Sequence, residues 1–203
     1  MKRFVTLILF FCTISFTRAG FVYSGIQNVL IPQDLDGVFL RIDTGAITHS
    51  YPLDWDTAPW INPFFGGVGI ATSPLLRPII TGSNQIQQLD AGAIVGPGDN
   101  FVLGENGSST HVGPGTGQFQ IGVPGIIGLV FESESSGPSY YGWVDMEIKN
   151  ATAGHILRWG FNDVPDERVA VPEVGTTAFG LAAAIAVFVS RRRCRSISRE
   201  CIG

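Results

Sequence analysis

Between Gly20 and Ala170 no stretch of the 203-residue chain sustains a helical period. Apolar residues do not recur at three- and four-residue spacing over any window long enough for a helix. Instead, glycine and proline punctuate short runs rich in valine, isoleucine and aromatics. Such runs read as strands bounded by turns. Strands are expected at 21–31, 37–42, 67–72, 76–81, 85–95, 100–103, 117–123, 126–133, 140–149, 155–162 and 168–171. Many short strands at this spacing imply an all-β fold, a single antiparallel β-sandwich or jelly roll. No internal repeat of fixed period is present.

The region has no disulfide to lean on. Cys12 lies before it, and Cys194 and Cys201 lie after it. About 150 residues must therefore stand on their hydrophobic core, which that length permits. A zinc site built on thiolates is excluded from it.

The two ends of the chain differ in kind from the middle. Lys2 and Arg3 precede an apolar run from Phe4 to Phe16, and Thr17-Arg18-Ala19 places small residues at −3 and −1. Residues 1–19 thus read as a secretory signal peptide, with cleavage expected after Ala19. At the other end, Ala178 to Ser190 carries no charge and is followed by Arg191-Arg192-Arg193-Cys194-Arg195. Counted from Val174, the uncharged run has seventeen residues, the lower edge of the ~17–25 needed for a membrane-spanning helix. The arginines can snorkel to make up the length.

The expected organisation is a signal peptide (1–19), a β-sandwich (20–162), a linker (163–177), the core of one C-terminal transmembrane helix (178–190) and a basic tail (191–203). Pro165 and Pro172 suggest that the linker is an extended tether. The net charge of −4 hides an asymmetry. Residues 20–177 hold sixteen acidic and five basic side chains, whereas 178–203 hold five arginines and one glutamate. A basic tail fits the cytoplasmic side of a membrane, with the acidic domain outside. Nucleic acid is a poor partner for so acidic a domain.

The order of parts at the C-terminus resembles the PEP-CTERM sorting signal of exported bacterial proteins. In that family a Val-Pro-Glu-Pro motif precedes a thin helix and a basic tail. Here the motif is Val171-Pro172-Glu173-Val174, with valine in place of the final proline, and Arg191, Arg192, Arg193 and Arg195 form the basic anchor. The resemblance implies a membrane-embedded cysteine protease of the exosortase type as a partner, possible release to the cell surface, and an association with extracellular polysaccharide. An ordinary single-pass anchor would equally keep the domain outside.

Several further pieces resemble a group of such proteins whose exterior domain is uncharacterised. They are Asp36-Gly37-Val38-Phe39-Leu40, the 61–67 and 125–131 segments, and Tyr141-Gly142-Trp143-Val144 followed by a second aromatic strand. This resemblance carries a location and a domain shape, and no activity. The expected role is structural or adhesive within an extracellular matrix, with a carbohydrate-binding module as the first alternative and a jelly-roll glycoside hydrolase as the second, and the chain is not expected to be an enzyme.

The candidates for chemistry are sparse. Asp34-Leu35-Asp36-Gly37 has the opening of a calcium loop, two carboxylates and a turn glycine, but the rest of an EF-hand is absent, so a plain Asp-Gly turn competes with calcium. Acidic residues two apart occur at Asp34/Asp36, Asp54/Asp56, Glu132/Glu134 and Asp145/Glu147. On a strand each pair shares a face. Asp145-Met146-Glu147-Ile148 resembles part of the Glu-x-Asp-x-Glu strand of jelly-roll glycoside hydrolases, where paired carboxylates act as nucleophile and acid. Trp143 stands where that pattern needs its first glutamate. His49, His111 and His155 fit neither a metal pattern nor a triad. There is no Gly-x-Ser-x-Gly elbow, and the 113–117 glycine run lacks the lysine of a phosphate loop. Trp55, Trp60, Tyr140, Tyr141, Trp143 and Trp159 offer either sugar-stacking platforms or core. Two long loops, 50–66 and 96–117, are the expected places for binding.

One local structure can be specified in detail. The 140–149 and 155–162 segments should form an antiparallel hairpin across the turn at 150–154. Alternation puts Val144, Met146 and Ile148 with Leu157, Trp159 and Phe161 on the core face. Tyr141, Trp143, Asp145, Glu147 and Arg158 then share the other face. The natural register sets Asp145 opposite Arg158 and Val144 opposite Trp159, as an exposed cross-strand ion pair.

Overall fold

The computed structural model describes residues 20–32, 37–65, 69–81, 86–102, 122–150 and 153–173. The described chain is all-β, built of antiparallel sheets packed on one another, as the punctuation of the sequence implies. The expected signal peptide, transmembrane helix and basic arginines lie outside the described residues.

The largest sheet has seven strands. β1 (Phe21–Tyr23) and β2 (Val29–Ile31) come first in the chain. The second sheet is then laid down by β3 (Phe39–Arg41), β4 (Ile47–Thr48), β5 (Trp60–Phe65) and β6 (Gly69–Thr72), in the order β4-β3-β5-β6. The chain returns to the large sheet with β7 (Leu76–Pro78) and β8 (Gln88–Leu89). It makes β9 (Ile94–Val95), then completes the large sheet with β10 (Pro124–Glu132), β11 (Ser139–Asn150) and β12 (Ala153–Asn162). β13 (Val169–Ala170) pairs with β9 as a separate ribbon. The large sheet runs β1-β12-β11-β10-β7, with β2 also on β12 and β8 also on β10.

Two apolar clusters hold these layers together. The first lies between the two main sheets. Leu40, Ile61 and Ile70 from the smaller sheet meet Ile127, Leu129, Phe131, Val144, Met146, Trp159 and Phe161 from the larger. The second lies on the opposite face of the large sheet, where Val95, Val169 and Val171 cover Ile126, Val130, Tyr141 and Trp143. β10 is therefore apolar on both faces, which explains its near-continuous run of Ile, Leu, Val and Phe rather than an alternating one.

The β11–β12 hairpin forms in the expected register, with Asp145 opposite Arg158 and Val144 opposite Trp159. Two expectations fail. Asn150, Ala153 and Gly154, expected in the turn, are strand residues, with a register shift between Ile148 and Asn150. The register shifts after Asp145, so Met146 faces Ile156, and Leu157 becomes the extra residue of a β-bulge. Ile156 is fully buried in its place, while Leu157 is only half-buried. The bulge coincides with the break between β1 and β2. There Gln27 and Asn28 both donate backbone N–H bonds to the Leu157 carbonyl, at 2.8 and 3.3 Å.

Other strands are shorter than expected. The 21–31 and 85–95 segments each divide into two strands. The 50–66 loop contains β5, a central strand of the second sheet, so Trp60 and Ile61 are core rather than loop. Phe101 contributes only a bridge to Ile79. Strand pairing across from β3 and β6 outweighs the proline at Pro63, where the β5–β6 register is irregular.

Candidate functional site

The chemistry-bearing side chains of the described residues gather on the outward face of β11 and β12. Trp143 is completely buried. Its neighbours across both adjoining strands, Gly160 and Gly128, have no side chain: Gly160 makes room for the indole itself, and Gly128 for the apolar side chains of the outer cluster. A Cβ added at Gly160 would come within 3.0 Å of both Trp143 and Phe21. At Gly128 it would come within 2.5 Å of Ile79 and 2.8 Å of Leu89. The Phe21 and Tyr23 rings of β1 extend the aromatic layer, with centroids 6.5 and 6.1 Å from Trp143.

One strand position further, Arg158 Nε donates to Asp145 Oδ2 at 2.7 Å. The guanidinium carbon stands 5.8 Å from the Trp143 ring centroid, a cation–π distance. This pair is not the exposed one the sequence implies: the side chains are only 15% and 6% exposed. The ribbon of β9 and β13 roofs the neighbouring part of the face, and Tyr23 closes it from the side. Burial pushes the Asp145 carboxyl above its ordinary value of 3.8, and the hydrogen bond and charge of Arg158 offset only part of that rise. Asp145 Oδ1 and Trp143 Nε1 are buried without a hydrogen-bond partner, and the buried Tyr23 hydroxyl lies close to the Arg158 guanidinium.

This arrangement engages Asp145 with a fixed cation. Glu147 shares its face two residues on, but it is half-buried opposite His155. The carboxylate pair of a retaining glycosidase needs both groups facing one substrate. Here one of the two is held by Arg158, as the register implies.

A second arginine cluster lies in the smaller sheet. Arg41 grips Asp43 with two bonds, at 2.8 and 3.0 Å, and donates a third to Asp54 at 3.0 Å. Asp43 raises the Arg41 guanidinium further above its ordinary value. Asp54 also accepts from Trp60 Nε1 at 3.0 Å. The cluster ties the β3–β4 turn to the short 3-10 turn Trp55–Thr57 and to β5. Asp54 and Asp56 do not act as a pair, because Asp54 is committed to this network.

The remaining candidates scatter. Asp34 and Asp36 lie outside the described residues; Gly37 after them takes the left-handed φ of 64° that an Asp-Gly turn requires. Among the described residues no three His, Cys, Asp or Glu side chains converge on a metal-sized site. Glu132 pairs with Arg77 at 2.8 Å, and Glu134 is exposed. His49 is exposed, His111 lies outside the described residues, and His155 Nδ1 is buried without a partner. Most of the 96–117 loop is also outside them. Of the two readings of the aromatics, Trp55, Trp60, Tyr141, Trp143 and Trp159 take core, each at least nine-tenths buried, although Trp159 also lines a groove; Tyr140 is half-buried.

The segment expected as a sorting motif begins inside the fold. Val171 is buried in the outer cluster, donates to the Ala93 carbonyl at 2.8 Å and accepts from Gly92 N–H at 3.1 Å. Pro172 is half-buried, Glu173 is exposed, and Val174 lies outside the described residues. Residues 163–173, expected as an extended tether, are thus part of the domain. Asp163 N–H bonds to Gly20 O, Asp166 N–H bonds to Ser139 O, and Val169 and Val171 alternate inward. The signal for this was the Val169-Ala170-Val171 alternation, which makes 168–171 an expected strand and conflicts with the tether expected from Pro165 and Pro172.

One open groove of about 280 Å³ lies between β1 and the β3–β4 turn. Trp159 and Phe161 form its floor, and Ser24, Gln27, Asp43 and Thr44 its polar rim. Gly45 (φ 72°) lets the turn approach Trp159, since a Cβ there would stand 3.1 Å from the indole.

Comparison with protein families, curated proteins and solved structures finds no significant match to this chain. Among the described residues no helix is long and apolar enough to cross a membrane.

Proposed function

We propose that this chain is an exported bacterial protein, held at the membrane by its C-terminal segment, whose exterior β-sandwich has a structural or adhesive role in an extracellular matrix. The observation that carries this reading is the succession at the C-terminus. The fold closes at Val171; Pro172-Glu173-Val174, an uncharged run and an arginine cluster follow in the order of a sorting signal. The acidic charge of the domain and the basic tail agree with a domain outside and a tail inside. A scaffold role is supported by the way Asp145 and Asp54 are engaged by arginines and their neighbours rather than offered to a substrate.

The test is fractionation of cells expressing the full chain and a chain ending at Glu173, which keeps the folded segment whole. The full chain is expected in the membrane fraction and the shortened one free in the periplasm. A shortened chain that stays with the membrane, or a full chain free in the cytoplasm, overturns the reading. Val174→Pro should raise processing in a host that holds an exosortase; equal processing of both forms removes that partner.

A carbohydrate-binding module is the second reading, favoured by the groove with its aromatic floor and polar rim. A glycan-binding screen with calcium and with chelator separates the two. Saturable binding that Thr44→Trp, filling the groove, abolishes would favour the module.

A further inference from the structure

The large sheet ends in β1 on one side, and among the described residues no strand lies beyond it. The backbone groups of β1 alternate in direction. Gly20 O accepts from Asp163 N–H, and Ser24 N–H donates to Trp159 O, both toward β12. By alternation Val22 also turns its backbone groups to β12, and Phe21 and Tyr23 turn theirs outward.

Such an edge is a template for another strand, and proteins blunt it with charge, proline or cover. The β7 edge follows that rule: it carries Arg77, paired with Glu132, and ends at Pro78. The β1 edge does not. From Gly20 to Pro32 there is no charged residue, and Phe21, Val22, Ile26 and Leu30 stand exposed, Phe21 at 46% and Ile26 at 82%. On a domain with sixteen acidic side chains, this is a place where two copies can meet without setting charge against charge.

The geometry points to a second copy of this chain as the partner, paired antiparallel, β1 against β1, about a two-fold axis at Val22. An antiparallel strand pair centred on one residue is self-complementary, as an isologous contact requires. Phe21 of each copy exchanges backbone hydrogen bonds with Tyr23 of the other, which uses the groups turned outward. The two Val22 residues form a close, non-hydrogen-bonded pair, with Cβ atoms about 4.5–5.5 Å apart. Phe21 and Tyr23 already stack at 6.1 Å within one copy, and pairing extends that row across the axis. The large sheets of two domains become one. Three residues of strand make a small contact of the weak, transient class. This pairing goes beyond the export reading and does not depend on it.

The test is oxidative cross-linking of the full chain with Cys12, Cys194 and Cys201 replaced by serine. Val22→Cys is expected to give a disulfide-linked dimer, because the two thiols meet on the axis. Ile94→Cys, more exposed at 59% against 38% for Val22 but on β9, is expected to give at least tenfold less. Adding Phe21→Lys should suppress the Val22→Cys dimer at least tenfold, and raising salt should speed its formation by screening two acidic domains from each other. Equal cross-linking at Val22 and Ile94, or none at Val22, overturns the proposal and leaves the fractionation result untouched. If Phe21→Lys lowers the melting temperature so far that the domain unfolds, the contrast between Val22 and Ile94 decides alone.

Discussion

Arg158 and Arg41 both hold carboxylates on short hydrogen bonds, and the two sites are built in opposite ways. Arg41 makes three bonds to two aspartates, and both oxygens of Asp54 are used, one by Arg41 and one by Trp60. One partner reaches solvent: Asp54 is 43% exposed, and Arg41 itself 27%, while Asp43 is only 15%. Arg158 makes one bond to one aspartate, beneath an aromatic layer, and Asp145 Oδ1 is left without a partner. A partly hydrated, fully bonded network costs little to form and contributes modestly. A desolvated pair can be neutral in sum, yet removing one member leaves a buried charge uncompensated. Bond length alone therefore does not rank the two sites; desolvation does.

The largest expected effect follows from that difference. Arg158→Met should destabilise the protein by about 3–5 kcal/mol in urea unfolding, because Asp145 would remain buried with no cation. A loss no larger than that of Arg41→Met would erase the contrast. Asp145→Asn should cost less, on the order of 1 kcal/mol, since the longer Arg158 side chain can carry its charge toward water.

The same variant sharpens the comparison through pH. The folded-state carboxyl of Asp145 titrates above its unfolded value, so the folded state binds the proton more tightly. Its contribution to stability is full below about pH 3.8 and is lost as pH rises through the raised value. The advantage of wild type over Asp145→Asn should therefore be greatest in acid and shrink toward neutrality. An advantage that grows with pH would mean that the attraction of Arg158, not burial, governs the group. The smallest effect belongs to Arg41→Met, about 1 kcal/mol at low salt and less at high salt. A salt-independent loss would place the Arg41 network with the buried pair instead.

The sequence by itself determined the all-β class, the pairing of β11 with β12, and which residues of those strands share a face. These are local properties: alternation has a period of two, turn residues mark the ends, and a charge match selects one register among those that keep the apolar face intact. Tertiary structure decided what lies on each face. Alternation put Trp143, Asp145 and Arg158 together but read their face as solvent, because β9 and β13 come from segments about fifty residues before and ten residues after the hairpin. It missed the bulge at Leu157, since a one-residue slip in β12 answers to the broken β1–β2 edge on its other side rather than to β11. It made 168–171 a strand yet placed it in a linker, because the prolines nearby are local signals, whereas the contact that buries Val171 is with Ala93 and Gly92, far back in the chain. Burial of a half-polar face is a long-range property, and it turned a surface ion pair into a desolvated one.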